Sequence, residues 1–353
     1  MGFGTLAVSD LVRSANQNIL DFGEPRLADY IGMYLGSYNQ LTTDMLGVFM
    51  APVNDRILGY GGGTGIQMVK SGEFGRADAS KPTFGSRMGF PLELNQLSYQ
   101  FTRKWLQNHT PMEMMAIVQD AMLQDTLQRQ KDIKNALFNP VNRTVTDELV
   151  DNLSLDVKAL ANNDGFAYPP DPYGNAVAGA HNHYLARVGT LAASDIDAVI
   201  ATVAEHYTVG KVMLFINSAQ ESAVRGFNAP GQFLQMVPSS TYLGANAAVA
   251  VGGNLDTSQT NNRQIGYWGN QAAEVWVKPW VPANYMIAIM INNGTKLLGY
   301  RERGEGGLHL AVQDEAYPLR CETMEAEYGI AVRDRLTAAV LFVGATTYAW
   351  TSL

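Results

Sequence analysis

The sequence predicts an α+β protein, and three observations support this fold class. After Pro111, no glycine or proline occurs before Pro140, and the apolar residues of this stretch recur at helical spacing. Helical, strand and helical patterns then follow one another between residues 194 and 225, which is the order of an α/β layer. Strand-like runs dominate the chain after residue 272.

The composition restricts the class of protein. Charged residues make up 16% of the 353 residues, whereas about 25% is usual for a soluble domain. With an apolar fraction of 46%, this excludes a disordered, highly charged tail protein and favours an exterior that faces other protein. The net charge of −8 argues against a basic surface that coats nucleic acid. Cys321 is the single cysteine, so no internal disulfide can form. No apolar run approaches the length of a transmembrane helix.

Residues 1–56 are predicted to form an N-terminal arm. One short helix is expected to end at Asn18, and an amphipathic stretch begins at Pro25, with interruptions at Gly36 and Asn39. The segment holds too few apolar residues for a core of its own. We therefore expect the arm to lie on another part of the structure.

Residues 57–98 are predicted to form an extended hairpin loop. Nine glycines punctuate the segment, and two strand-like runs, Ile66–Lys70 and Met88–Leu97, flank a polar connection rich in turn residues. An isolated two-stranded hairpin is only marginally stable in water. We therefore expect this loop to rest on a neighbour.

The strongest local signal is a capping box at Thr110 and Glu113, with Pro111 at the first helical position. It predicts one helix over 111–137, roughly 39 Å long at 1.5 Å per residue. The apolar residues of this helix are expected to face the core; they include Met115, Val118, Met122, Leu123 and Leu127.

The α/β lobe comes next along the chain. A helix is predicted from Ser194, a strand over Lys211–Ile216, and a second helix that ends at Arg225 after a capping box at Ser218 and Glu221. The later strand-like runs are Ala273–Val277, Tyr285–Ile291, Leu308–Gln313, Leu319–Met324 and Thr337–Val343.

No group of residues predicts a catalytic centre. His181 and His183 spell part of a nuclease motif but lack its scaffold and spacing, so we interpret them as loop histidines without a metal. The glycines over 61–65 are not followed by the Lys-Ser or Lys-Thr of a phosphate loop. Cys321 is interpreted as a small, buried apolar residue and not as a nucleophile. The carboxylates are interpreted as solvated or interface charges; they are Glu302, Glu305, Glu322, Glu325 and Glu327.

We therefore expect no enzymatic activity, no cofactor and no metal site. An alternative of a different class is a metal-dependent hydrolase that uses His181, His183 and Asp171.

The order of these elements resembles that of the major capsid proteins of tailed bacteriophages, which have the Hong Kong 97-like fold. The arm, the extended loop and the helix from Pro111 to Leu137 follow in the family's order. Val212–Asn217 with the helix after it resembles the strand–Asn–helix unit of the family's axial domain. Ile265-Gly266-Tyr267 with Gly269, Val275 and Pro282 is similar to a further family pattern, and Arg320–Val343 resembles its closing strands.

The resemblance implies a division into domains. Residues 99–187 and 301–353 would form a peripheral domain that contains the spine helix, and residues 188–300 an axial domain directed at the five- and six-fold axes of a shell. The extended loop would lie over an adjacent subunit. Its charged residues are then candidates for the subunit interface, namely Glu73, Arg76, Lys81 and Arg87.

The resemblance also implies a function. The chain would assemble with many copies of itself, as hexamers and pentamers, into an icosahedral head that encloses double-stranded DNA. It would be found in the virion, and in the host cytoplasm during assembly. No long charged helical segment precedes the arm, which suggests a separate scaffolding protein, or a mature chain. A portal would be a further partner, and contact with packaged DNA would be weak and non-specific. A decoration protein is a possible partner whose presence the sequence does not predict. No membrane partner is expected. An encapsulin-like compartment, which shares this fold and holds enzyme cargo, is the nearest alternative.

Overall fold

Two β-sheets, packed around one main hydrophobic core, organise the chain. The computed structural model describes residues 17–46, 49–60, 70, 73, 75, 86–166, 168, 179–207, 209–235, 263–269, 272–304 and 306–350. The helices of this part are α1 (Ile19–Phe22), α2 (Glu24–Leu46), α3 (Arg103–Asn108), α4 (Pro111–Phe138), α5 (Ala193–Ala204) and α6 (Ser218–Arg225). The predicted α+β class is confirmed.

All five runs predicted after residue 272 are strands, and each begins within one residue of its predicted start. The strands that begin at His309 and at Leu319 end later than predicted. In chain order, the strands of the described residues are β1 (Met50–Pro52), β2 (Ile57–Tyr60), β3 (Ser86–Gly89), β4 (Glu93–Thr102), β5 (Arg143–Asp147), β6 (Leu153–Val157), β7 (Tyr184–Arg187), β8 (Lys211–Ile216), β9 (Phe233–Gln235), β10 (Arg263–Trp268), β11 (Ala273–Val277), β12 (Tyr285–Ile291), β13 (Leu298–Glu302), β14 (His309–Ala316), β15 (Leu319–Val332) and β16 (Ala338–Val343).

The long strand β15 organises a five-stranded sheet. Strands β13 and β14 pair antiparallel with successive parts of β15, and β4 pairs with it antiparallel from Leu319 to Tyr328. Strand β1 adds to β13 in parallel. The sequence predicts a strand only over Leu319–Met324. The structure extends it to Val332, because Ala326 and Tyr328 alternate with Glu325 and Glu327 and keep one face buried.

Helix α4 is the predicted long helix and packs on this sheet. Its capping box is present: the N–H of Glu113 donates to Oγ1 of Thr110 at 3.4 Å, and the N–H of Thr110 donates to the Glu113 carboxylate at 2.7 Å. The expected core position of Leu123 and Leu127 is wrong, because these side chains are 53% and 49% exposed. Val118 and Met115 instead face the core.

The seven-stranded sheet has the order β7-β16-β12-β8-β11-β10-β9. One face packs on α5 and α6 through residues such as Val199, Leu214 and Met286. The other face faces the main core, where Phe215 and Ile287 join residues of α4 and β15. The sheet draws β7 and β16 from outside residues 188–300, whereas β13 belongs to the five-stranded sheet. The two sheets are therefore interleaved in sequence.

The second strand of the predicted hairpin differs from the prediction. Strand β2 pairs with β3, but the single strand expected over Met88–Leu97 is divided around Pro91. Its second part belongs to β4, which pairs with β15 instead of extending the hairpin. Proline cannot donate to a strand ladder, and this accounts for the break. Residues 66–69 of the other predicted strand lie outside the described residues.

Two predicted helix boundaries also differ. Helix α2 continues through Gly36 and Asn39 to Leu46, because its buried residues dock on the core and outweigh the weak helix propensity of glycine. The predicted capping box at Ser218 is wrong: the cap of α6 is Asn217, whose Oδ1 accepts from the N–H of Ala219 at 2.9 Å. No helix of the described residues is long and apolar enough to span a membrane.

Candidate functional site

The base of the hairpin is anchored within the chain. Met88 and Phe90 pack with Val157 in a small separate core. A Cβ atom built on Gly89 would lie 2.6 Å from Cβ of Leu155, so only glycine allows this close approach. The base of the hairpin therefore has a fixed position.

The four predicted interface residues lie in or beside this loop. Glu73 and Arg87 are both exposed, and Arg87 stands on β3 opposite Gly59. Arg76 and Lys81 lie outside the described residues. Arg87 therefore lies on the paired part of the hairpin and not at its tip, and its role at a subunit interface stays a prediction.

Large apolar side chains are exposed at two further places. Leu123 and Leu127 stand one turn apart on the outer side of α4. On the β14–β15 hairpin, Val312 and Leu319 are exposed, and Tyr317 in its turn is 85% exposed. Groups of exposed apolar side chains are typical of surfaces that other protein covers.

A buried polar network holds α4 to the five-stranded sheet. Arg129 donates to the Asp125 carboxylate at 2.8 Å and to the Tyr300 hydroxyl at 2.7 Å. The Tyr38 hydroxyl of α2 donates to the same carboxylate at 2.8 Å. Burial raises the pKa of Tyr300 and that of Tyr38 above the usual range of a tyrosine, so both hydroxyls stay protonated donors. The network fixes α2, α4 and β13 against one another.

The glutamates considered at the sequence level have structural partners. Glu322 lies 3.0 Å from Arg320, and Glu327 lies 2.7 Å from Arg303. Glu302 accepts from the Tyr300 hydroxyl at 2.8 Å, and Gln96 donates to Glu325 at 3.1 Å. Burial raises the pKa of Glu322, although Arg320 opposes this. Glu305 lies outside the described residues. The Glu325 contact joins β4 to β15, and the Glu327 contact joins β15 to the residue after β13, whereas Glu302 and Glu322 contact residues of their own strands.

The two histidines interpreted as loop residues lie in a cluster of four side chains. His181 and His183 lie in the segment directly before β7. Glu205 and His206 directly follow the C-terminal end of α5. The Nε2 atom of His183 lies 3.1 Å from Nε2 of His181 and 3.0 Å from Nε2 of His206. The Glu205 carboxylate lies 2.7 Å from Nε2 of His181. His181 and His183 lie outside the helices and strands, as predicted, but next to Glu205 and His206.

We call these four side chains the histidine cluster. Its histidines differ in environment. Burial lowers the pKa of His183 to about 3, and the neighbouring histidines add to this effect. Burial likewise lowers the pKa of His206 to about 4. Both rings are therefore neutral at pH 7, and neutral imidazole is the form that binds metal ions. Asp171, the third residue of the hydrolase alternative, lies outside the described residues.

Sequence reasoning missed Glu205 and the role of His206. The signal was present as a Glu-His pair directly after a predicted helix and a His-x-His pair before a strand. Nothing in the spacing of 22 residues or more between the pairs shows that the sheet brings them together.

The fold is similar to that of solved phage structures. A structure from Mycobacterium phage Patience matches with a TM-score of 0.62 and 20% identity, over 93% of this chain and 90% of that chain. The chain shares the fold of this phage protein. The match covers most of both chains and shows a fold in common with a phage protein.

Two weaker matches are to assembled particles. The capsid of a native GTA particle matches at 15% identity and a TM-score of 0.48, over 86% of this chain and 91% of that one. The procapsid of satellite phage P4 with its size-determination protein matches at 13% identity and a TM-score of 0.43, over 90% and 92%. At these scores neither match adds to the argument for the capsid fold. No protein-family model matches the chain, and no curated protein does.

Proposed function

We propose that this chain is the major capsid protein of a tailed bacteriophage, a structural subunit that assembles with itself into an icosahedral head around double-stranded DNA. The observation that carries the proposal is the fold shared with the Mycobacterium phage structure over 93% of this chain. The order of arm, extended loop, long helix and α/β lobe supports the finer Hong Kong 97-like description.

The subunit combines a rigid body with surfaces for other copies. The network around Arg129 and Asp125 holds α4 on its sheet, so that this part moves as one unit. The peripheral domain would contain α4 and β15, and the axial domain the helices α5 and α6. The sheet pairing suggests that the two are joined by β7, β13 and β16, and not by a single linker.

The proposed contacts between subunits are individually weak. The extended loop, with Glu73, Arg76, Lys81 and Arg87, would lie on an adjacent subunit, and an exposed ion pair contributes about 0–1 kcal/mol. The exposed Leu123, Leu127 and Tyr317 would add apolar contacts. Because a closed shell repeats every contact many times, weak contacts suffice for assembly.

The charge of the chain suits a shell that does not bind its genome tightly. With a net charge of −8, the subunit would repel most phosphate groups, and any contact with DNA would be local and independent of base sequence. A separate scaffolding protein and a portal are the further partners of this proposal.

Sedimentation velocity tests the proposal. The purified full chain, alone and co-expressed with a scaffolding protein, should yield closed particles much larger than a hexamer. A compact monomer under every condition would refute it. Nuclease-protected DNA in particles from infected cells would separate a phage head from an encapsulin-like compartment, which would hold protein cargo.

A further inference from the structure

The histidine cluster brings four potential metal ligands to one point. Nε2 of His183 lies 3.0 Å from Nε2 of His206 and 3.1 Å from Nε2 of His181. The Glu205 carboxylate lies 2.7 Å from His181 and 3.4 Å from His206. One ligand atom from each residue lies within 4.8 Å of all the others.

The protons of these rings are fixed by the backbone. Nδ1 of His183 lies 2.8 Å from the carbonyl oxygen of Ala338, and Nδ1 of His181 lies 3.0 Å from that of Gly179. A carbonyl oxygen only accepts, so each Nδ1 carries the hydrogen. In the neutral ring Nε2 then presents a lone pair. Nε2 of His183, which presents this lone pair, lies 3.1 Å from Nε2 of His181 and 3.0 Å from Nε2 of His206.

Three Nε2 atoms and one carboxylate converge on one point, and a cation between them is attracted by all four groups. The His183 ring, which has no exposed surface, presents its Nε2 lone pair to this point. A divalent metal ion would bind the three rings, and the Glu205 carboxylate would offset part of its charge. Hydrogen bonds from Nδ1 to carbonyl oxygens also orient metal-binding histidines in known sites.

Most of the spacing in the cluster is close to that around a tetrahedral ion. Zn–N bonds of 2.0–2.1 Å in a tetrahedron place neighbouring ligand atoms roughly 3.3 Å apart. Four of the six separations between the ligand atoms are 2.7–3.4 Å, and all six are within 4.8 Å. Three imidazoles and one carboxylate suit Zn²⁺ better than Mg²⁺ or Ca²⁺, which prefer oxygen ligands.

We infer that His181, His183, Glu205 and His206 form a structural Zn²⁺ site. All four positions of a tetrahedral ion are taken by the protein, and no position is left for the water that a hydrolase needs. The site joins the segment before β7 to the C-terminal end of α5. His183 also receives the N–H of Val340 at its carbonyl oxygen, at 2.8 Å, so the ion would tie both segments to β16.

The surroundings of the site fit a closed structural centre. The Tyr168 ring packs against His181 and His206 with centroid distances of 4.7 and 5.3 Å, and its hydroxyl donates to the His181 carbonyl oxygen. Ions can enter from the side of His181 and Glu205, whose side chains are 23% and 39% exposed. The role is independent of the proposed capsid function, because it needs only the folded subunit.

Metal analysis of the purified full chain tests the inference. After dialysis without chelator, the wild-type chain should retain one zinc ion per subunit. The double variant His181→Gln/His206→Gln should retain none, and Glu205→Gln should weaken binding by at least about 10-fold. His309→Gln is the matched control, because this histidine also lies beside a glutamate, 3.6 Å from Glu325, but outside the cluster. Equal zinc content in the wild type and the double variant would overturn the inference.

A second readout does not depend on the variants folding. Wild-type chain is stripped with a chelator and titrated with Co²⁺, whose intense visible absorption reports tetrahedral coordination. The intense band should appear, saturate at one equivalent and disappear on addition of Zn²⁺. The melting temperature should rise with Zn²⁺ in the wild type and in His309→Gln. A weak octahedral spectrum, or no change in melting temperature, would overturn the site even if every particle assembles normally.

Discussion

Nε of Arg129 lies 2.8 Å from the carboxylate of Asp125 one turn earlier on α4, and both side chains are almost completely buried. The Arg129 guanidinium also stacks over the Tyr328 ring at 4.2 Å from its centroid and donates to Tyr300. One ion pair thus links the long helix to two strands of the five-stranded sheet. Since buried charges are costly when unpaired, this pair makes the position of α4 specific.

Removal of one partner of this pair should be strongly destabilising. Arg129→Met leaves the Asp125 carboxylate buried without its cation, and the free energy of unfolding of the unassembled subunit should fall by about 3–5 kcal/mol. Lys131→Met on the exposed side of the same helix is the control and should change it by about 0.5 kcal/mol or less. Urea denaturation measures both. Equal effects would show that the pair does not hold the helix.

Asp132 should give the subunit a measurable pH dependence. Burial raises the pKa of its carboxyl group and Glu93 adds to the effect, although the Tyr328 hydroxyl donates to it at 3.0 Å. The native state then binds the proton more tightly than the unfolded chain, so stability falls as the pH rises through the raised native pKa.

Asp132→Asn should therefore melt at a higher temperature than the wild type at pH 7. The advantage should shrink below about pH 4, where the aspartate is protonated in both states. Asp120→Asn, exposed on the same helix, controls for the loss of one charge. A lower melting temperature at pH 7, or a difference that does not depend on pH, would contradict the argument.

Replacement of glycine by alanine should change the stability of the subunit in opposite directions at two positions. A Cβ atom on Gly329 would lie 1.8 Å from the carbonyl oxygen of Pro91, so Gly329→Ala must move β15 or the chain before β4 and should cost about 1–3 kcal/mol. Gly36 stands in the middle of α2 with open space around it, and Gly36→Ala should stabilise by about 0.5–1 kcal/mol. Thermal unfolding of the two variants would contradict this reasoning if the signs were the same.

The hairpin should matter for assembly and not for folding. Its base packs on the small core around Met88 and Phe90, so deletion of residues 72–82 should leave the melting temperature of the subunit nearly unchanged. Shell formation should be lost, because the deleted segment carries three of the four proposed interface charges. Arg87→Glu should weaken assembly less. Normal shells from the deletion variant would show that the loop has another role.

Local signals in the sequence predict much of the fold. The capping box at Thr110 locates the start of α4, and short runs of mostly apolar residues locate β8, β11 and β12. These elements are predictable because neighbouring residues determine them. The end of α2 and the length of β15 are not, since packing on the core decides whether a glycine or a pair of glutamates interrupts an element.

The candidate sites were less predictable for the same reason. His183 and His206 meet only because β7 pairs with β16 and α5 covers the same sheet, and no local pattern encodes that pairing. The exposed Leu127 likewise follows a helical apolar pattern, and only the sheet beside α4 determines which apolar residues are left outside.

The central claim is that this chain forms an icosahedral shell, and electron cryomicroscopy of particles assembled from the full chain tests it most directly. The reconstructed particles should be closed shells. In these shells, residues 188–300 should surround the five- and six-fold axes, and the extended loop of each subunit should lie on its neighbour. Reconstructions that show no closed shell, or a shell in which that loop contacts only its own subunit, would contradict it.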